Sequence, residues 1–320
     1  MKAKTLNENF IEAIKEKIPN SVNLASVLMD TLYIGKEAVY RRLRGEVPFT
    51  FTEASIISNS LGVSLDRVSG ANSPKNALFT LNVIDHKHPL DTYHAQIENY
   101  IRIYKAVKDN PTLEWYAASN IIPQVFYLDH DNLARFLLYK WMYQHERISY
   151  IKYFSGLKIS EGLREKQKEY VKVSKEVALS NFIWDNMMFC SLVNDIRYFV
   201  GINLITREEV DVLKGEICCL IDVLEQLAAK GYHKPGKSIR IYVSNINFEA
   251  SYGYLKTDDF KLSILRLYSI NEITTADREV FELQKEWIHS LRKYSTLISI
   301  SGETQRIQFF EKQRQYVNSL

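Results

Sequence analysis

Residues 28–50, LMDTLYIGKEAVYRRLRGEVPFT, contain the pattern that most restricts how this 320-residue chain can fold. Two short segments with apolar residues at helical spacing flank Ile34 and Gly35. Their apolar positions are Leu28, Leu32, Val39 and Leu43. Gly45 follows the second segment, and glycine readily adopts the left-handed conformation that ends a helix. The stretch therefore predicts two short helices joined by a tight turn at Ile34 and Gly35.

The second predicted helix has a cationic outer face. Residues 36–44 contain one acidic residue, Glu37, and four cations: Lys36, Arg41, Arg42 and Arg44. A rigid helix that projects from a small core can reach base edges in the major groove of DNA, while cations beside it hold the phosphates. The whole chain has a net charge of only +3, so a DNA-binding surface would have to be local.

This stretch resembles the helix-turn-helix domains of the Cro and phage-repressor family. The family pattern is Leu-Ala, two residues, Leu-Gly-Ile-Ser and then the recognition helix; here the same positions read Leu28-Met29, Asp30-Thr31 and Leu32-Tyr33-Ile34-Gly35. Met29 thus replaces a small packing residue, Tyr33 replaces the turn glycine, and Gly35 replaces the usual hydroxyl cap. Glycine caps a helix almost as well as a hydroxyl residue.

The likeness continues beyond the turn and covers about residues 7–68. It includes Arg41-Arg42-Leu43-Arg44-Gly45, Thr52-Glu53-Ala54, Leu61-Gly62-Val63-Ser64 and Leu65-Asp66. The resemblance implies a five-helix DNA-binding domain over residues 1–72. It further implies that base edges are faced by Lys36, Glu37, Tyr40 and Arg41. Phosphates would be met by Arg42, Arg44 and Thr50, although a plain surface charge is the alternative for Arg42.

The rest of the chain predicts a mainly α protein. Residues 69–74, SGANSP, predict a linker, and after a weak strand signal at 78–84 the pattern up to residue 231 indicates five or six helices. Residues 231–236, GYHKPG, interrupt it, and segments with a period of two follow. We therefore expect a helical region over 76–231 and an α+β region over 236–320 with a small antiparallel sheet. These regions are either separate or one unit.

Motifs for catalysis, metals and membranes are weak in this sequence. There is no HExxH, GxSxG or phosphate-binding glycine loop, so no enzyme activity, metal or cofactor is predicted. Asp85-His86-Lys87-His88 is either a metal site or, as we favour, a polar loop. Cys190, Cys218 and Cys219 lack CxxC spacing and are interpreted as reduced thiols in helices, with redox sensing as the alternative. No run of about 18 apolar residues and no signal-peptide pattern occur, which predicts a cytoplasmic protein without membrane contact.

Aromatic residues are abundant: the chain has 20 tyrosines, and all four tryptophans follow residue 110. Core packing accounts for most of them, and a ligand pocket is the functional alternative. Within residues 240–254, the candidates for such a pocket are Tyr242, Asn245, Asn247, Tyr252 and Tyr254. A predicted helix near the C-terminal end carries an apolar stripe formed by Val280, Leu283, Trp287 and Leu291. This stripe is suited either to dimerisation or to burial against the sheet.

Together these patterns predict a sequence-specific DNA-binding transcription regulator. Its partners would be double-stranded DNA, a second copy of the chain, and a small-molecule or protein effector acting on the C-terminal region. One alternative is an adaptor that is tethered to DNA and docks a protein partner through its helical region. Another is an enzyme fused to a DNA-binding domain, which would need a convergent polar cleft in the C-terminal part.

Overall fold

The computed structural model describes residues 5–17, 24–61, 63–69, 77–145 and 151–320. The chain divides into two compact units, Met1–Ala77 and Leu78–Leu320. Each unit has its own hydrophobic core. The predicted domain boundary at residue 72 and the predicted linker residues 70–74 lie outside the described residues.

The described part of the first unit is helical. Its helices are α1 (Leu6–Lys17), α2 (Leu24–Leu32), α3 (Lys36–Leu43), α4 (Phe51–Leu61) and α5 (Leu65–Val68). Residues at helical spacing from these segments meet in one core, which contains Phe10, Ile14, Ala25, Leu28, Leu32, Val39, Ile57, Val63 and Val68. Helix α3 contributes only one fully buried side chain, Val39, and its exposed residues are Lys36, Glu37, Tyr40 and Arg41.

The second unit alternates helices and strands. Its helices are α6 (Pro89–Val107), α7 (Gln124–Tyr127), α8 (Asp131–Tyr143), α9 (Glu161–Ser174), α10 (Met188–Gly201), α11 (Arg207–Lys230), α12 (Arg278–Lys293) and α13 (Glu303–Asn318). Its strands are β1 (Thr80–Asn82), β2 (Glu114–Ser119), β3 (Leu179–Trp184), β4 (Tyr232–Lys234), β5 (Lys237–Ser244), β6 (Tyr252–Lys256), β7 (Lys261–Leu267), β8 (Asn271–Thr275) and β9 (Ser295–Leu297).

Local sequence signals fix the ends of several of these helices. Helix α11 begins with a capping box in which the Thr206 hydroxyl accepts from the Glu209 amide and the Glu209 carboxylate accepts from the Thr206 amide. It ends at Gly231, which has a φ of 75°. Asp277 caps α12 by accepting from the amides of Glu279 and Val280.

The nine strands form one mixed sheet with the order β1-β8-β7-β6-β2-β3-β5-β4, and β9 also pairs with β5. Strands β2, β3 and β5 are parallel to one another, and the remaining pairs are antiparallel. Residues of α6, α8, α9, α10, α11 and α13 pack on one face of the sheet. On the other face α12 packs against Tyr116, Ile183 and Tyr254.

The predicted fold class, mainly α with a small antiparallel sheet, is wrong for the second unit. The sheet is mixed, and two of its central strands, β2 and β3, lie in the region expected to be entirely helical. In each, the five residues after the first are buried on both faces, so neither strand shows the polar alternation that identifies a half-exposed strand. Strands from both predicted C-terminal regions share this sheet and belong to the same compact unit.

Candidate nucleic-acid interface

Tyr33 lies in the turn between α2 and α3 and has a left-handed backbone conformation, with a φ of 55°. Its amide donates to the carbonyl of Met29 at 2.9 Å, and its side chain is 93% exposed. The left-handed conformation costs a residue with a Cβ about 1–2 kcal/mol and is freely available to glycine. Tyrosine therefore keeps the conformation that suits the glycine of the repressor-like pattern, with its ring directed into solvent.

Helix α3 starts at an extended Gly35, with φ −69° and ψ 157°, and no side chain caps it. Val39 is 1% exposed and anchors the inner face of the helix. The exposed residues of the outer face are Lys36, Glu37, Tyr40, Arg41 and Arg44. The Lys36 ammonium lies 5.9 Å from the centroid of the Tyr40 ring, so these two side chains lie side by side near the start of the helix.

The end of α3 is a Schellman motif built on Gly45, which has a φ of 78°. The Gly45 amide donates to the Arg42 carbonyl at 2.9 Å, and the Glu46 amide donates to the Arg41 carbonyl at 3.0 Å. This geometry turns the chain back beside the helix. It thereby brings the carboxylate of Glu46 next to the cations of α3.

Glu46 is a residue of this surface that the sequence reasoning missed. Arg44 donates from Nε to Glu46 Oε1 at 2.6 Å and from Nη2 to Glu37 Oε1 at 3.2 Å. Arg41 Nε lies 3.6 Å from Glu46 Oε2. The hydrogen bond from Arg44 lowers the pKa of the Glu46 carboxyl, so Glu46 stays ionised. The signal in the sequence was a carboxylate directly after the glycine that reverses the chain.

Arg42 and Thr50 lie at the junction of α3 and α4 and not on the exposed face of α3. Arg42 is 15% exposed, and its Nε and Nη2 contact the Glu53 carboxylate at 3.0 and 2.8 Å. Its Nη1 donates to the Ala38 carbonyl at 3.1 Å. Thr50 caps α4 in a capping box with Glu53, with distances of 2.8 and 3.2 Å. Five of the seven predicted DNA contacts therefore share one exposed surface, while Arg42 joins α3 to α4 and Thr50 is an exposed residue that caps α4.

The other candidate residues are placed as follows. Asp85 and His86 lie in a polar loop before α6, where the Asp85 carboxylate accepts from the Lys87 amide at 3.0 Å and His86 Nδ1 lies 3.4 Å from Asp85 Oδ1. Among the described residues, no three His, Cys, Asp or Glu side chains converge as metal ligands would. Cys190 lies in α10, while Cys218 and Cys219 lie in α11, all as free thiols.

The aromatic residues of 240–254 point mainly to α12. Tyr254 stacks on Tyr116 with ring centroids 5.0 Å apart, and its hydroxyl lies 2.9 Å from His289 Nε2. The indole of Trp287 donates to the hydroxyl of Tyr252 at 2.6 Å. These contacts pack α12 onto the sheet, which is the core-packing alternative for these tyrosines.

No known protein family, curated protein or solved structure matches the chain. The likeness to repressor-like domains therefore rests on the residues of the first unit alone. No helix in the described part of the chain is long and apolar enough to cross a membrane.

Proposed function

We propose that this chain is a sequence-specific, cytoplasmic transcription regulator that inserts α3 into the major groove of double-stranded DNA. The observation that carries the proposal is the exposed face of α3, where Lys36, Tyr40, Arg41 and Arg44 stand on a helix anchored by one buried valine. A short helix with a polar outer face and an apolar inner face has the dimensions that the major groove admits.

Two kinds of contact are expected from this face. Within its first six positions, the residues expected to face base edges are Lys36, Glu37, Tyr40 and Arg41, and arginine pairs with the N7 and O6 acceptors of guanine. Arg44 lies at the end of the helix, next to the turn at Gly45, and would meet a phosphate. The ion pairs with Glu37 and Glu46 join exposed groups and are screened by salt, so a phosphate can displace these carboxylates.

The second unit would supply sensing or assembly. If it senses a small molecule, that molecule should change the affinity for DNA. In the alternative function, a DNA-tethered adaptor, a protein partner should do so instead. An observation that favours a protein contact, here on α12 and not in the predicted helical region 76–231, is that Leu283 and Trp287 are each 61% exposed. Apolar side chains exposed on one helix are typical of protein contacts.

Selection of bound sequences from random DNA by the full-length protein tests specific reading directly. Enrichment of a motif is expected, and retention of DNA without any enriched motif would contradict sequence-specific binding. The enriched site then serves for measurements on variants.

Arg41→Ala should weaken binding to the enriched site by about 1–3 kcal/mol and affect a scrambled duplex much less. Arg44→Ala should weaken both duplexes alike and reduce the slope of log affinity against log salt by about one unit. Fluorescence anisotropy on both duplexes measures these effects. Arg102→Ala, which removes an exposed arginine of α6, is the charge-matched control and should change neither. Equal losses on both duplexes for Arg41→Ala would contradict its role in base reading.

A further inference from the structure

The second unit contains a cavity of about 70 Å³ between the sheet and helices α6, α7 and α9. It runs along β2 from Trp115 to Ser119 and reaches the first residue of α7, Gln124. The cavity is on the face of the sheet opposite to α12, and of the five pocket candidates within 240–254 only Tyr252 reaches its lining.

A buried ion pair lines this cavity. Arg266 on β7 and Glu272 on β8 are directly opposite each other in the antiparallel register. The turn that joins the two strands contains Tyr268 and Ser269, both with positive φ, at 45° and 72°. The side chains of Arg266 and Glu272 are 17% and 4% exposed. A tight hairpin thus fixes two opposite charges side by side in the wall of a cavity.

The Arg266 guanidinium and the Glu272 carboxylate attract each other but are too far apart to form a hydrogen bond. Arg266 Nη2 lies 3.8 Å from Glu272 Oε2, which is beyond hydrogen-bond distance. The guanidinium has five N–H donors, and its hydrogen bond to the Ser269 carbonyl is long, at 3.5 Å. Burial raises the pKa of Glu272, although Arg266 and the Tyr100 hydroxyl oppose that rise. A second cation beside Glu272 and a second acceptor beside Arg266 would therefore both be stabilising.

Gln124 is a further polar residue in the wall of this cavity. It is 2% exposed, and within the described chain neither atom of its side-chain amide has a partner at ordinary hydrogen-bond distance, although the Tyr127 hydroxyl lies close enough to be influenced by it. A buried amide with no partner costs about 1–3 kcal/mol. Gln124 lines the same cavity as Arg266 and Glu272. A bound molecule with polar atoms would give this amide the partner it lacks.

Aromatic residues, including tyrosines with polar hydroxyl groups, form another part of the cavity wall. The rings of Tyr104 and Trp115 meet edge to face with their centroids 5.7 Å apart. The ring centroids of Tyr100 and Tyr170 are 5.4 Å apart. Burial raises the pKa of the hydroxyls of Tyr100, Tyr104 and Tyr170, so all three remain neutral hydrogen-bonding groups. Aromatic faces attract ammonium groups. The apolar part of the lining comes from Ile103, Val125, Leu255, Leu262 and Ile264.

We infer that this cavity binds a small free α-amino acid with an apolar side chain. Its carboxylate would accept hydrogen bonds from Arg266, its ammonium group would lie by Glu272 and the tyrosines, and Gln124 would bond to either group. Arg266 and Glu272 together are neutral, and burying a net charge is far more costly than burying a ligand that carries both signs. The cavity volume of about 70 Å³ limits the ligand to the smallest side chains.

The inference concerns binding in the second unit and does not rest on DNA recognition. Isothermal titration of the full-length protein with L-alanine, whose side chain is a single methyl group, tests it without DNA. Propionate, which lacks the ammonium group, and L-alaninamide, which lacks the carboxylate, are the matched controls. Saturable binding of an amino acid is expected, with at least tenfold weaker binding of both controls.

Two variants test the residues. Arg266→Gln should abolish the binding, and Gln124→Met should weaken it at least threefold. Gln124→Met should leave the melting temperature unchanged or raise it. Methionine has a shape similar to that of glutamine, and the substitution removes a buried polar amide. It therefore tests the site even if Arg266→Gln unfolds the protein. Equal binding of propionate and L-alanine would overturn the inference. So would the absence of L-alanine binding, which would mean that only water occupies the cavity.

Discussion

Tyr33 adopts the left-handed conformation of the turn although its side chain gains little from the protein, being 93% exposed. The strain at this residue is therefore not offset by burial of the ring. Glycine would relieve it, and the family pattern places glycine at this position. An exposed ring next to α3 is instead available to a partner, which is a role that glycine could not fill.

Substitutions at Tyr33 should separate backbone strain from loss of the ring. Tyr33→Gly and Tyr33→Ala both remove the ring, but only glycine relieves the positive φ. We expect the glycine variant to be more stable than the alanine variant by about 1 kcal/mol. Urea unfolding of a fragment of residues 1–77, followed by circular dichroism, measures the difference. Equal stability of the two variants would mean that the turn is not strained.

Glu53 should make the first unit sensitive to acid. Burial alone would raise its pKa, but hydrogen bonds from Arg42 and the Thr50 amide outweigh burial and lower the pKa below 4.5. A lowered pKa in the folded state stabilises the protein above the pKa of the unfolded state, and this stability is lost as the pH falls through the folded value. We therefore expect the stability that this residue contributes to be present in full at neutral pH and to decrease as the pH falls below about 4.5.

Glu53→Gln tests this effect, because glutamine can keep the capping box but carries no charge. The variant fragment should be less stable than the wild type at pH 7 and should lose less stability on acidification. Glu37→Gln is the charge-matched control, since Glu37 is 78% exposed and takes no part in the contact between α3 and α4. An identical pH profile for Glu53→Gln and the wild type would contradict the assignment.

At the scale of elements, the sequence predicted what depends on neighbouring residues. The end of α3 follows from Gly45, and the turn before it follows from Leu32 to Gly35, because these structures need only local hydrogen bonds. Strands β2 and β3 were missed because their burial depends on partners far away in sequence. Without knowledge of those partners, a short and mostly apolar segment such as residues 115–118, WYAA, does not differ from part of a buried helix.

Helix α11 offers a direct test of how its end is determined. At Gly231, which has a φ of 75°, a Cβ would lie 2.2 Å from Ile300 Cγ1. Gly231→Ala should therefore destabilise the full-length protein by at least about 1–2 kcal/mol, through backbone strain and this clash.

Gly215→Ala is the matched control in the same helix. A Cβ at Gly215 has no atom within 4 Å, so alanine there should stabilise the helix by about 0.5–1 kcal/mol. Thermal unfolding followed by circular dichroism compares the two variants. A neutral effect of Gly231→Ala would show that the helix end tolerates another conformation.

At the scale of the whole molecule, the cavity shows most clearly what sequence reasoning could not reach. Its polar groups come from positions as distant as Tyr100, Gln124 and Arg266, and only the order of the strands brings them together. Sequence reasoning favoured one continuous aromatic stretch, residues 240–254, because adjacency along the chain was its only guide. That stretch lies on β5 and β6 and packs largely against α12.

The oligomeric state is a further property of the whole molecule, and we predict a dimer. A single DNA-reading unit of about 70 residues makes few contacts, and two copies held one helical turn apart would read a two-fold symmetric site. Of the predicted stripe, Leu291 is buried, Val280 is half-buried, and Leu283 and Trp287 are exposed. We therefore expect a symmetric dimer that pairs through residues after 75, with Leu283 in the contact.

Light scattering of the full-length protein and of the fragment of residues 1–77 tests this prediction. The full-length protein should have the mass of a dimer and the fragment that of a monomer. Leu283→Glu should shift the full-length protein towards monomer, because an unpaired charge at a buried contact is costly. Val212→Glu, at an exposed valine of α11, is the control and should leave the mass unchanged. A full-length monomer at micromolar concentration that binds DNA one to one would contradict the dimer and favour the adaptor.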